Sequence, residues 1–132
     1  MSGRELLLSV AGDARVVRLP GRDELERLRT IYGLIGCRYA EEVPLAADVT
    51  MWLDEEATLG PGPAEPSPPV MLVGAALGHS GRYVGPAVFT GGSDRRGDTR
   101  GLSDARLATL SDLLDRFGVR VVRAPAGADG DG

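Results

Sequence analysis

Acidic side chains carry most of the chemistry this sequence could do. They gather as Glu41-Glu42 and as Asp54-Glu55-Glu56, at the outer ends of two segments that read as paired strands. That pairing would set the clusters about one strand spacing apart. Facing carboxylates suit general acid–base work, and their oxygens suit a hard divalent cation. Solvated strand ends give the same pattern and no EF-hand spacing accompanies it, so no catalytic residue and no metal ligand is assigned. Gly91-Gly92-Ser93 follows another strand-like run and offers main-chain N–H groups that could cradle a phosphate. There is neither a Walker pattern nor a GxGxxG, and no helix starts directly after the glycines. A tight turn is the simpler explanation. His79 is the only histidine, which removes most metal sites and most histidine-based catalysis. Its setting, Gly78-His79-Ser80-Gly81, lacks the glycine that a nucleophile elbow needs at position 82, where Arg82 stands.

The residues whose type and placement suit contact with a ligand or partner are Tyr39, Glu42, Trp52, Asp54, Gly91, Gly92 and Asp94. They belong to the second of two hairpins and to the loop after a later strand. Trp52 falls opposite Val49, Met51 and Leu53 on a regular strand. It therefore either packs beneath a helix or marks a partly exposed surface, and packing is favoured.

Composition narrows the classes. A net charge of −4 gives no excess of positive charge for phosphates, so nucleic-acid binding is disfavoured. All 15 basic residues are arginine, and Lys, Asn and Gln are absent. Because the arginines are scattered, this reads as a biased genome and not as a phosphate patch. Cys37 is the only cysteine, which excludes an intrachain disulfide and a cysteine-rich metal site. No stretch reaches the roughly 20 apolar residues of a membrane span, and Leu6-Leu7-Leu8 is too short for a signal peptide. A cytoplasmic protein without a cofactor is expected.

The elements that must position these residues follow from local pattern. Residues 5–10 and 15–19 flank a Gly-Asp turn and predict a first hairpin, ended by Pro20-Gly21. Asp23 caps a helix with Glu26 three residues on; Leu25, Leu28, Ile31, Tyr32 and Ile35 form its apolar stripe, with Gly33 and Gly36 as stops. Residues 37–45 and 49–53 alternate and predict a second hairpin. Cys37, Tyr39, Val43 and Leu45 share one face there, Glu41 suggests a bulge, and pairing is incomplete near Pro44. Five prolines in residues 60–69 predict an extended loop inserted within the domain. Residues 70–77 predict one or two helical turns, and 83–90 a strand broken at its start by Gly85-Pro86. A polar loop runs to Gly101. A second main helix follows, capped by Ser103, with Leu107, Leu110, Leu113, Leu114 and Phe117 as its stripe and Gly118 as its stop. Residues 119–122 predict a last strand.

The expected architecture is therefore a small α+β fold: a mostly antiparallel sheet from two hairpins plus one or two further strands, backed by two main helices and one short helix. Residues 1–124 form a single domain with a Pro/Gly-rich inserted loop at 59–69, and 125–132 a disordered tail.

Two stretches also resemble a known pattern. Residues 35–45 (IGCRYAEEVPL) with 49–56 (VTMWLDEE), and residues 83–92 (YVGPAVFTGG), are similar to the central signature of the Domain of Unknown Function thirty-eight forty-six family. The resemblance covers roughly residues 5 to 118 and is moderately specific. Members often carry an Asn at the start of the small-residue segment, where this chain has residues near Met71 and no Asn. The resemblance implies no established activity. It does imply a setting in phage, plasmid and actinobacterial genomes.

The leading functional expectation is a non-catalytic binding or accessory protein, with a mobile-element origin implied by the resemblance, acting on an unknown protein or small ligand. The alternatives are a small metal- or carboxylate-dependent enzyme acting on a phosphate- or nucleotide-type substrate and, last, a nucleic-acid-associated protein. No membrane partner is expected, and homo-oligomerisation is left open.

Overall fold

The computed structural model describes residues 4–8, 13–19, 23–59 and 66–123. Six strands form one open sheet. They are β1 (Glu5–Leu8), β2 (Ala14–Val17), β3 (Ala40–Ala46), β4 (Val49–Asp54), β5 (Ala87–Thr90) and β6 (Val121–Arg123). Their spatial order is β3-β4-β5-β1-β2-β6. Every pairing is antiparallel except β2 with β6. Both expected hairpins are present, with Glu5 opposite Val17 in the first and Ala40 opposite Asp54 in the second. The fold is a small α+β domain.

Among the described residues four helices complete the fold: α1 (Glu24–Ile35), α2 (Glu55–Leu59), α3 (Pro68–Ala76) and α4 (Asp104–Arg116). The two long ones start where the sequence signals them. Asp23 Oδ1 accepts the Glu26 N–H at 2.8 Å, and Ser103 Oγ accepts the Arg106 N–H at 3.1 Å, each satisfying one of the donors a helix start leaves over. Gly36 closes α1 in the left-handed conformation, at φ 78°.

Alternation along the strands sends side chains to two different layers. Leu6 and Leu8 of β1, Val49, Met51 and Leu53 of β4 and Phe89 of β5 pack with Val70 and Val73 of α3 and Leu107, Leu110 and Leu114 of α4. Trp52 and Val88 point the other way, beneath Ile31 and Ile35 of α1. The helices thus cover both faces of the sheet. Trp52 has to be buried for α1 to have anything to pack on. Each large side chain so buried contributes about 1.5–3 kcal/mol.

Several local expectations are corrected. Leu25 is exposed because α1 rests on the sheet mainly through its C-terminal half, and Gly33 lies inside the helix instead of ending it. Phe117 is exposed at the end of α4, beyond the last residue that reaches the sheet. The register of the second hairpin shifts between Pro44 and Ala46, not at Glu41. Pro44 is tolerated because β3 is an edge strand, where a missing N–H leaves no ladder partner unmet. Cys37 and Ala40 pack on the α1 side, opposite Val43 and Leu45, and Tyr39 is exposed. The short α2 was not anticipated. Pro68 and Pro69 open α3, where their missing N–H groups cost nothing, and Pro66 bridges to Val84. The rest of the expected proline loop, residues 60–65, lies outside the described residues, as does the expected tail at 125–132.

Candidate functional site

A groove of about 880 Å³ opens at the end of the sheet where β1 and β4 begin and β2 and β5 end. Its walls come from distant parts of the chain. Glu5 opens β1, Arg18 and Leu19 follow β2, Arg27 lies on α1, and Ala47 and Asp48 form the β3–β4 turn. Residues 91–94 leave β5, and residues 99–104 lead into α4.

Backbone proximity shapes one wall. A Cβ on Gly91 would collide with the carbonyl of Gly101, and one on Gly92 with the carbonyl of Ala47. The two glycines are therefore required by close backbone packing. Gly91 donates to Arg100 O at 2.8 Å and Gly92 O accepts from Arg100 N–H at 3.2 Å, so the two limbs of the 91–101 loop run side by side. Asp94 shapes the tip of that loop. Its Oδ1 accepts the N–H groups of Arg96 (2.8 Å) and Asp98 (3.0 Å). These bonds, the one from Asp98 foremost, hold its carboxyl below its ordinary value.

Two tethers fix the loop to the rest of the fold. Thr99 donates through its N–H and Oγ1 to the two carboxylate oxygens of Glu24, at 2.8 and 2.7 Å, and Arg27 Nη1 donates to Thr99 O at 3.1 Å. On the other side, Arg106 of α4 donates from Nε and Nη2 to the two oxygens of Asp48, at 3.0 and 2.8 Å. That fork lowers the Asp48 pKa. It also joins the hairpin turn to α4 below the groove.

Glu5 is the unusual residue here. It is 3 % exposed, and its Oε1 accepts the Leu19 N–H at 2.9 Å. Loss of hydration pushes its pKa from 4.5 up to about 7, against the opposing pull of the Leu19 N–H and of the Arg27 and Arg18 charges. A carboxyl titrating near neutrality in a groove with arginines at hand is the pattern that acid–base and ligand-gating groups share.

The seven residues expected to make contacts fall into three places. Gly91, Gly92 and Asp94 line the groove. Trp52 is buried under α1, its Nε1 donating to Thr90 Oγ1 at 2.9 Å, and Thr90 in turn donates to Gly91 O at 3.1 Å. Tyr39, Glu42 and Asp54 lie outside the groove lining, at the edge strand and the segments flanking the second hairpin. There Ala40 pairs with Asp54, Glu41 with Leu53 and Glu42 with Trp52, so the two acidic clusters sit at the open end of that hairpin without facing each other residue for residue. Glu56, however, pairs with the exposed Arg38 at 2.9 Å, and Asp54 Oδ1 accepts the Glu56 N–H at 2.9 Å at the start of α2. Nearby, burial raises the Cys37 thiol pKa, with Asp54's charge adding to it. Among the described residues, no three His, Cys, Asp or Glu side chains gather to hold a metal, and no helix is long and apolar enough to cross a membrane.

Sequence reasoning missed Glu5, Arg18, Arg27 and Arg100. Glu5 looked like the polar start of an apolar strand, and the arginines are scattered along the chain. Only the strand order brings them to one end of the sheet.

A six-stranded open sheet with helices on both faces and a charged groove at one end defines a small α+β domain. The chain matches the family model described as Domain of unknown function (DUF3846) over residues 6–117, and it belongs to that family. No curated protein and no solved structure matches it.

Proposed function

We propose that this chain is a non-catalytic binding protein whose ligand seats in the groove between the β3–β4 turn, the 91–103 segment and α1. The observation that supports this most is the convergence of six separate segments on one groove of about 880 Å³, within the range of small-ligand sites. The edge-strand residues Tyr39, Glu42 and Asp54 form a secondary contact surface in this reading. A cytoplasmic setting and a mobile-element origin belong to the same reading, and the genes flanking the coding sequence test the latter.

A thermal-shift screen with nucleotides, sugar phosphates, dicarboxylates and neutral sugars tests the groove directly. Ser93 is exposed and lines it, so Ser93→Trp fills the groove without disturbing the core. A compound that stabilises the wild type and not Ser93→Trp supports the reading. Equal stabilisation of both proteins, or none by any compound, counts against it.

A second reading is favoured by Glu5 itself. A buried carboxyl titrating near 7 suits general acid–base catalysis on a phosphate-type substrate. In that reading the carboxylate that matters is Glu5, and not Glu42 or Asp54. Turnover on a nucleotide or sugar-phosphate panel that Glu5→Gln abolishes would favour it over simple binding.

A further inference from the structure

We propose that the outer edge of β3 receives an extended, basic segment of a partner protein as an added strand, a contact that lies outside the groove and does not depend on it. β3 ends the sheet, and no strand of the described residues pairs with its far side. The register settles which main-chain groups face outward. Tyr39 O accepts the Glu55 N–H at 3.0 Å, and Glu41 opposite Leu53 and Val43 opposite Met51 continue the same register. In an antiparallel ladder, residues that bond inward alternate with residues that bond outward. The N–H and C=O groups of Ala40 and Glu42, and the C=O of Pro44, therefore point off the sheet. Pro44 fits that parity, because its ring nitrogen has no proton to give the ladder. An extended chain finds donors and acceptors in a row there, the arrangement that strand addition uses.

The side chains along this edge choose the occupant. Glu41, Glu42 and Glu55 are exposed. Glu41 and Glu42 lie on opposite faces of the strand, so an added strand meets a carboxylate on either face. Asp54 stands across from Ala40 at the same end. Arg38, close by, is already held by Glu56 through bonds of 3.3 and 2.9 Å. A second copy of this chain would set glutamates beside glutamates, on a strand that also lacks a donor at Pro44. Charge and proline are the devices that keep an edge from pairing with itself. A segment carrying Arg or Lys gains from the same carboxylates. Tyr39 is 58 % exposed beside the first outward-facing residue, and its ring gives a guanidinium or ammonium a face to rest on.

Amide-shift titration and hydrogen exchange of the full chain test this with a short peptide alternating Arg and Thr. Its controls are a Glu/Thr counterpart and the Arg/Thr peptide N-methylated at two adjacent central residues, which keeps the charge and blocks both of its edges. At saturation the Arg/Thr peptide should slow exchange at the Ala40 and Glu42 amides roughly tenfold or more, and its Kd should weaken as salt rises. Glu41→Gln together with Glu42→Gln should weaken binding roughly fivefold. Glu42→Pro removes an outward N–H and leaves the bonds to β4 in place, so it should bind roughly tenfold more weakly than Glu42→Gln. Equal binding of the N-methylated peptide overturns strand addition, and equal binding of the Glu/Thr peptide overturns the basic partner. Ala40 and Glu42 amides that shift with protein concentration alone assign the edge to a second copy and overturn the proposal. So do shifts confined to Gly91, Gly92 and Gly101, or no shift with any peptide. The small-molecule reading of the groove stands or falls separately, on the Ser93→Trp comparison.

Discussion

Glu5 makes a quantitative prediction independent of any ligand. In the unfolded chain its carboxyl titrates near 4.5, and in the folded protein near 7. Between those values the folded state holds the proton more tightly, so stability falls as pH rises through this window. Below 4.5 both states are protonated and Glu5 carries no penalty; above about 7 the penalty is complete. At about 1.4 kcal/mol per tenfold change in proton affinity, it amounts to about 3 kcal/mol. Because Glu5 is 3 % exposed, little solvent screening reduces that figure. Urea unfolding of the wild type and Glu5→Gln, at pH values from about 4.5 to 8, reads the effect as a difference between two proteins. Glu5→Gln should gain on the wild type as pH rises, by about 3 kcal/mol across the window, less whatever the weaker Leu19 bond costs. The lowered carboxyls of Asp48 and Asp94 contribute stability that is lost only as pH falls below their ordinary 3.8, outside this window. A difference between the two proteins that stays constant from pH 4.5 to 8 would refute the assignment of Glu5 as a buried, desolvated acid.

Four other substitutions separate packing from surface. Trp52→Ala should cost about 3–5 kcal/mol in urea unfolding, whereas Thr90→Val, which strands the indole N–H, should cost about 1–3 kcal/mol; a neutral Trp52→Ala would contradict the α1 packing. Gly92→Ala forces the β3–β4 turn away from the 91–101 loop, so it should lower Tm by several degrees and shift the amides of Ala47 and Asp48. Glu24→Ala removes both acceptors of Thr99 and should speed hydrogen exchange at the Thr99 amide by roughly tenfold or more, while the α3–α4 layer stays protected.

Elements whose signals are local were legible in the sequence. Asp23 and Ser103 cap the helices they were expected to cap, because an N-cap is decided by three or four neighbouring residues. The alternation 49–53 gave the β4 faces correctly, and with them the burial of Trp52. Leu25 and Phe117 were misread because periodicity finds the apolar stripe of a helix but not how far the sheet beneath it extends. Pro68 and Pro69 were misread because the same residue that breaks a helix interior also favours its first turn. The use of both sheet faces followed from strand order, which no single segment encodes.

The groove divides along the same line. Gly91 and Gly92 stand out in the sequence as part of a phosphate-nest pattern and Asp94 as a contact residue, and all three line the groove, but their bonds and close contacts are with the chain itself. Gly91 and Gly92 allow backbones to meet, and Asp94 closes the tip of its own loop. The charged side chains that line the groove are the ones that composition made invisible. In a chain whose basic residues are all arginine, no single arginine stands out, and Glu5 stands out only after burial. Placing β1 between β5 and β2 brings the start of β1 beside the ends of both neighbours. Glu5, Arg18 and Gly91 thereby share one edge of the sheet, and α1 and the run into α4 add Arg27 and Arg100. Specificity in this family should accordingly follow the residues at this end of the sheet more closely than the glycine-rich loop that frames it. Exchanging Arg100 should change what is bound, whereas exchanging Gly91 or Gly92 should change only whether the protein folds.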